Sequence, residues 1–302
     1  MNARPNTTPI GIDWPTVALV VFFWSAFAVV VLLHHRLPTV FVVGVLVMLG
    51  GLYTSLQHEI IHGHPTPWKR LNWLMVSAPL GLTQPFERYR VTHLDHHLAD
   101  LTDPIGDPES SYVTARAWER ASAPYRMLLR VNRTMAGRLS IGPVLALVRM
   151  ARSDAHLART RPDVRRAWLA HLVAVVVVIV ALRTLGVPLW VFILGFAFGG
   201  ASITSLRSFV EHLAVDGAPR SAIVHSGAFF SLIFLNNNLH YTHHQLPGAA
   251  WFRLPELTRS LGAEQAAATG AGVYRGYREV ARRFMFRPFG QPVHPFSATI
   301  DV

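Results

Sequence analysis

The chain contains no cysteine. It therefore has no disulfide framework, no thiolate zinc site and no cysteine-ligated iron–sulfur cluster of its own, and any metal it holds must be bound through imidazole or oxygen. Charge is also scarce. Asp, Glu, Lys and Arg make up 15% of the 302 residues against 51% hydrophobic, and the mean hydropathy is +0.30. This balance is foreign to an ordinary soluble domain and indicates an integral membrane protein. Lysine is nearly missing: Lys69 stands alone among 28 basic residues, so arginine carries the formal charge of +11. The arginine bias points to a GC-rich bacterial genome, and no recognition module accompanies it, which argues against a nucleic-acid partner. No low-complexity linker or second domain is visible, and one domain over 1–302 is expected.

Four apolar stretches, Trp14–Leu33, 39–56, 168–182 and 187–206, come near the roughly 20 residues a helix needs to cross hydrocarbon. Two shorter runs, 71–82 and 227–235, fall below that length and suit re-entrant or interfacial segments. The expected fold is an all-α integral membrane protein with about four transmembrane helices and a helical cap. Residues 1–13 hold only Arg4 as a basic residue and no small-residue cleavage pattern follows Leu33, so a retained first helix is expected rather than a removed signal peptide. The hairpin tips between paired helices carry Arg36 and Arg183, while nearly all other basic residues lie on the opposite side. By the positive-inside tendency that side is cytoplasmic, which puts both termini and the cap on the cytoplasmic face of a bacterial inner membrane.

The stretch 116–166 is rich in arginine interleaved with Trp118, Tyr125, Leu128 and Leu129. It reads as helices lying on anionic headgroups, ahead of a docking surface for an acidic electron donor. The tail over 255–290 reads as helix broken at Gly270 and Gly272, followed by a Pro-rich end that packs over the cap.

Histidine is what the chain has in plenty, 16 in all. Two copies of one pattern, His93-x-x-His96-His97 and His240-x-x-His243-His244, follow the pair His58-x-x-x-His62. On a helix, positions i, i+3 and i+4 share a face, so each triplet is expected to aim its ring nitrogens at a single point, as metal ligands do. His58-Glu59-Ile60-Ile61-His62 is also the H-E-x-x-H pattern of zinc peptidases, with Glu59 as water-activating base. A membrane zinc peptidase is therefore a rival reading, but it leaves both triplets without a role. Metal-bound imidazoles usually donate their second N–H to an acceptor, and Glu59, Asp95, Asp103, Asp107 and Glu211 are candidates, with ion pairing to arginine as the alternative. His34, His35, His64, His156, His171, His225 and His294 are expected to be structural or solvated, with His64 and His225 the nearest to contacting a ligand.

The order His-x-x-x-His, His-x-x-His-His, His-x-x-His-His in a four-helix membrane protein resembles the membrane-bound fatty acid desaturase and hydroxylase superfamily, and the resemblance runs from His58 to about Pro255. Thr102-Asp103-Pro104 and Asp107-Pro108-Glu109-Ser110-Ser111 after the second box, Asn236-Asn237-Asn238 before the third and Leu254-Pro255 after it agree with bacterial members. Arg207-Ser208-Phe209-Val210-Glu211-His212 is similar to the Glu-His element that supplies one further ligand in alkane hydroxylases. The resemblance implies nine ligands for a pair of non-haem irons: His58, His62, His93, His96, His97, His212, His240, His243 and His244. It implies O2 as cosubstrate and oxidation of an unactivated C–H bond in a fatty-acyl or other lipid-like substrate. Desaturation is favoured by the whole motif set, and hydroxylation is the alternative raised by the short first box and by Glu211-His212. With no cysteine of its own, the chain would take electrons from a separate ferredoxin- or rubredoxin-type donor and its reductase.

Overall fold

A computed structural model describes residues 11–296, so Arg4 lies outside the described residues. The first hairpin is α1 (Trp14–Leu33) and α2 (Thr39–Ile61), followed by α3 (Lys69–Val76) and α4 (Phe86–His96). Next come α5 (Ala115–Arg120), α6 (Ala123–Asn132), α7 (Met135–Ser140) and α8 (Gly142–Leu157). The second hairpin pairs α9 (Pro162–Thr184) with α10 (Leu189–Phe192), which passes through a π-helical stretch, Ile193–Gly199, into α11 (Gly200–Ser208). The C-terminal third holds strand β1 (Ile223–Val224), helices α12 (Ala228–Ile233), α13 (His240–Gln245), α14 (Leu254–Ser260) and α15 (Ala263–Ala268), strand β2 (Val273–Tyr274) and helix α16 (Tyr277–Phe284). The architecture is helical, as expected, with one small parallel sheet pairing β1 with β2.

Among the described residues, four helical stretches are long and apolar enough to cross a membrane: Trp14–Arg36, Thr39–Ile61, Pro162–Thr184 and Leu189–Ser208. Two of them outrun the apolar runs by five or more residues at one end. Helix α2 continues past residue 56 to Ile61, burying His58 and Glu59 in its last turns. Helix α9 starts at Pro162 rather than at Trp168, because proline suits a first helical turn and the intervening Arg165 and Arg166 stay exposed. Helix α9 buries only Val164, His171 and Leu182, leaving Val173, Val176, Val177 and Val180 exposed. That face suits lipid, where helix faces need no polar cover.

The two hairpins meet where α2 crosses α11. A Cβ added to Gly200 would stand 2.7 Å from the Gly50 Cα, and one added to Gly50 would stand 2.5 Å from the Phe196 carbonyl oxygen. Small residues at the crossing let the backbones touch, which is how helices pack tightly in a membrane. At the tips, His34 Nε2 lies 3.1 Å from the Gly186 carbonyl oxygen, joining one hairpin turn to the other.

Neither short apolar run spans. Helix α3 ends among side chains that take up its free carbonyls: Gln57 Nε2 donates to the Val76 carbonyl at 3.1 Å and Trp24 Nε1 to the Met75 carbonyl at 2.9 Å. The Tyr53 hydroxyl lies 2.7 Å from the Val76 carbonyl and 2.6 Å from that of Ala78. A helix end buried without such partners would leave several orphan acceptors in an apolar environment. The four spans therefore carry all three histidine boxes to one end of the bundle.

The cap is pinned by a buried ion pair. Arg88 of α4 donates twice to Asp154 of α8, each bond 2.8 Å long, and Trp168 of α9 donates to the same carboxylate at 2.8 Å. Helix α6 exposes Met127, Leu128 and Val131 beside Arg130, the expected pattern for a helix lying in an interface. The arginines do not form one continuous surface, however. Arg133 is only 2% exposed, sits 4.1 Å above the Tyr112 ring and donates to Ser111 Oγ at 2.8 Å, and the Nε of Arg138 is also buried. The tail corrects a further expectation. It breaks at Gly262, which adopts a left-handed φ of +58°, as well as around Gly272. Strand β2 then follows, bonding the tail to the segment that leads into the third box.

Candidate metal centre

The nine box and Glu-His histidines gather into two adjacent groups. His58, His62, His93, His97 and His243 form one, and His96, His212, His240 and His244 form the other, with candidate ligand atoms in each lying within 4.8 Å of one another. The expectation that each triplet aims at one point is therefore wrong. In α4, His93 and His97 turn to the first group while His96 turns to the second; in α13, His240 and His244 turn to the second while His243 turns to the first. Helical geometry explains the split. Successive residues are about 100° apart, so i+4 is turned about 40° to one side of i and i+3 about 60° to the other. Each triplet thus serves both groups, and the two triplets do so in opposite senses.

The spacing of the rings is that of metal ligands. The Nε2 atoms of His62 and His93 are 3.1 Å apart, those of His93 and His97 3.1 Å, and those of His97 and His243 3.0 Å. In the second group His240 Nε2 lies 3.0 Å from His244 and 2.9 Å from His212. Hydrogen bonding does not account for such chains, since His93 Nε2 meets two other ring nitrogens while its Nδ1 is engaged by Glu109. Two nitrogens at right angles, each about 2.1 Å from a shared metal, stand about 3.0 Å apart. The His96 Nε2 is buried without any partner, as a nitrogen reserved for a metal would be.

Acceptors and donors behind the rings fix their tautomers and orientation. His96 Nδ1 lies 2.7 Å from Asp107 Oδ1, and His93 Nδ1 lies 2.9 Å from Glu109 Oε1. His212 Nδ1 is 3.3 Å from the Arg220 carbonyl oxygen. Asn237 bridges the two groups, with its Oδ1 3.0 Å from His240 Nδ1 and its Nδ2 3.2 Å from His58 Nε2. Glu211 stands 3.5 Å from His240 Nδ1 and 3.1 Å from Arg207. Burial and the charge of neighbouring rings push His97 down to about 2, and burial and His96 push His212 down to about 3. Both rings are therefore neutral at physiological pH, the form in which imidazole binds a metal.

Of the carboxylates singled out in the sequence, Asp107 and Glu211 reach cluster histidines. Asp103 instead accepts from the backbone amides of Ile105 and Gly106 in its own turn, and the Asp95 carboxylate makes no hydrogen bond to a histidine side chain among the described residues. Glu59 accepts from the Trp251 amide at 2.9 Å and groups with Asp13 and His64. It faces away from both histidine groups, and this removes the water-activating base that the peptidase reading requires. Neither His64 nor His225 contacts a cluster ring: His64 Nδ1 lies 3.3 Å from Asp13, and His225 pairs at the surface with Glu264. Glu109 and Asn237 are the contacts that sequence reasoning missed. Both lie in motifs visible in the sequence, Asp107-Pro108-Glu109 and Asn236-Asn237-Asn238, but only the fold shows which residue of each motif turns inward.

A comparison with curated proteins found no matching relative. The family model for fatty acid desaturases matches residues 34–277, a segment that holds all nine clustered histidines and the whole of the second hairpin. That match extends over most of the chain and agrees with the four membrane helices, so the chain belongs to the fatty acid desaturase family of integral membrane oxidoreductases.

Proposed function

We propose that the nine histidines hold two non-haem irons and that the enzyme uses O2 to desaturate an unactivated C–H position of a fatty-acyl or other lipid-like substrate. The observation that carries this reading is the division of the nine imidazoles into adjacent groups of five and four, with carboxylates behind the rings. Zinc sites rarely recruit more than four protein ligands, whereas imidazole suits iron in larger coordination shells. When bound, the iron pair would supply the reduction of O2 coupled to oxidation of the C–H bond. The chain's own part is to hold rings and substrate in place. Asp107 and Glu109 receive the Nδ1 protons of His96 and His93, and Asn237 sets the ring of His240 from one side while meeting His58 from the other.

A cavity of about 530 Å³ lies between α2, α8 and the π-helical stretch with α11, and Tyr53, Phe86 and Phe196 form part of its wall. Apolar walls exclude water from the reacting carbon and favour a lipid-like substrate. The π-helical turn supplies Ile193, Phe196, Ala197 and Phe198 to the lining, a placement common for such turns at functional sites. Electrons would come from a ferredoxin- or rubredoxin-type protein with its reductase, docking on the cytoplasmic face of a bacterial inner membrane. One desaturase-like domain would carry all these parts.

Hydroxylation stays the second reading because Glu211-His212 is built into the site: His212 belongs to the four-histidine group and Glu211 approaches His240. The choice between the two outcomes depends on the position of the substrate carbon. Mass comparison of lipids from cells with and without the gene tests it. Loss of two hydrogens from a lipid that accumulates in the deletion strain is the expected result; gain of one oxygen would establish hydroxylation, and no oxidised lipid in either form would reject the proposal.

A further inference from the structure

The cavity differs from a plain acyl tunnel in what lines it. Among the described residues on its wall none is charged, yet hydroxyl and carboxamide side chains recur: Thr54 and Gln57 on α2, Thr83 and Gln84 before α4, and Ser205 and Ser208 on α11. Their positions are not random along the chain. Gln57 immediately precedes His58, and Thr54 and Ser208 stand one helical turn before His58 and His212. The polar residues of α2 and α11 thus mark the end of the cavity near the histidine groups. The apolar lining from Ile193 to Phe198 lies farther back along the same helical stretch. Val144 and Ile193, both exposed, mark the bilayer side.

Several of these polar groups have no use inside the protein. The side chains of Ser205, Thr83 and Gln84 form no hydrogen bond among the described residues, whereas Thr54 and Thr204 bond back to their own helix at Gly50 and Gly200. Free hydroxyl and amide groups facing a half-open, largely apolar cavity are available to a ligand, and such groups fix the orientation of a bound molecule in an otherwise apolar site. A carboxylate, phosphate or ammonium group would meet no counter-charge there, and burying an unpaired charge is strongly unfavourable.

From this arrangement we infer that the cavity takes the uncharged polar end of its substrate: a neutral lipid bearing a hydroxyl or carbonyl group enters with that group against Ser205. The carbon that is oxidised then lies within a few bonds of the polar group, rather than in the middle of a chain whose charged head stays outside. This inference rests on the proposed oxidase function for its chemistry, but its test does not require turnover.

The full chain, reconstituted with iron in phosphatidylcholine nanodiscs at a pH where carboxylic acids are ionised, is titrated with radiolabelled decan-1-ol, decanoate and decane, and partition into empty nanodiscs is subtracted. Decan-1-ol is expected to bind at least about tenfold tighter than either of the others, a difference well within what one or two satisfied hydrogen bonds supply. Ser205→Ala should shrink that advantage while the iron content, measured on the same samples, stays at the wild-type level. Decanoate binding as tightly as the alcohol would overturn the inference and assign the charged head to the arginines outside. Equal binding of decane and decan-1-ol would overturn it as well, by leaving the polar wall without a ligand. Binding of the alcohol as expected, with no oxidised product from any lipid, would reject the oxidase reading and leave this inference standing.

Discussion

At the scale of residues, neighbouring side chains in the boxes have different jobs. His243 and His244 are adjacent in sequence but belong to different histidine groups, and His97 shares a group with His243. Double substitutions therefore give a pattern that no single-point arrangement of the triplets would give. Converting His97 and His243 to Ala together should remove about half of the bound metal, because one group loses two ligands and the other none. Converting His97 and His244 to Ala should remove most of it, since each group then loses one. Metal analysis of the purified variants decides this, and equal losses from both pairs would contradict the division. That the box histidines come together was legible from spacing, because i+3 and i+4 intervals mark a shared helix face, and that His212 joins them was legible only from the family resemblance. What spacing could not convey was the division, since a face about 100° wide can address two centres as easily as one. Glu109 and Asn237 stayed hidden for a related reason: they lie in loops and turns, where no periodicity tells which side chain points inward.

At the scale of elements, two contacts hold the histidine-bearing pieces at their distances. One is the crossing of α2 and α11 at Gly50 and Gly200, where added side chains would strike backbone. The other is the Arg88–Asp154 pair, with both side chains nearly inaccessible, which fastens the second-box helix to α8 and, through Trp168, to α9. Asp154→Ala leaves Arg88 buried without its partner and should destabilise the fold by about 3–5 kcal/mol, the range for breaking a buried pair from one side. Gly200→Val should lower the melting temperature as well, and should also reduce metal content, because α11 leads directly to His212. Thermal unfolding in detergent checks both; a Gly200→Val protein with unchanged melting temperature would mean the helices can separate without loss. The four spans and the two non-spanning runs were readable from apolar length. The extension of α2 through His58 was not, because box residues are polar and end the apolar run before the helix ends. The π-helical stretch and the small sheet left no mark either, and the sheet depends on the tertiary pairing of Ile223 with Val273.

At the scale of the whole molecule, the joined hairpin tips fix one side of the bundle and the histidine groups the other. The proposed orientation puts the tips outside the cytoplasm, following the arginine distribution. Because the parent chain lacks cysteine, single reporters test it cleanly. Thr184→Cys at a tip should react in intact cells with a membrane-impermeant thiol reagent, and Thr160→Cys between α8 and α9 should not, both positions being exposed. The reverse labelling would invert the topology. Orientation and the proposed function meet at the histidine groups, because electrons from the proposed soluble donor would have to reach the side that holds them. The proposed function requires those groups to hold a pair of irons. Elemental analysis of the active enzyme, reconstituted anaerobically with ferrous iron, should find about two irons per chain, with activity rising in step with iron bound. A single tightly held zinc per chain that supports full activity, with iron supporting none, would contradict it.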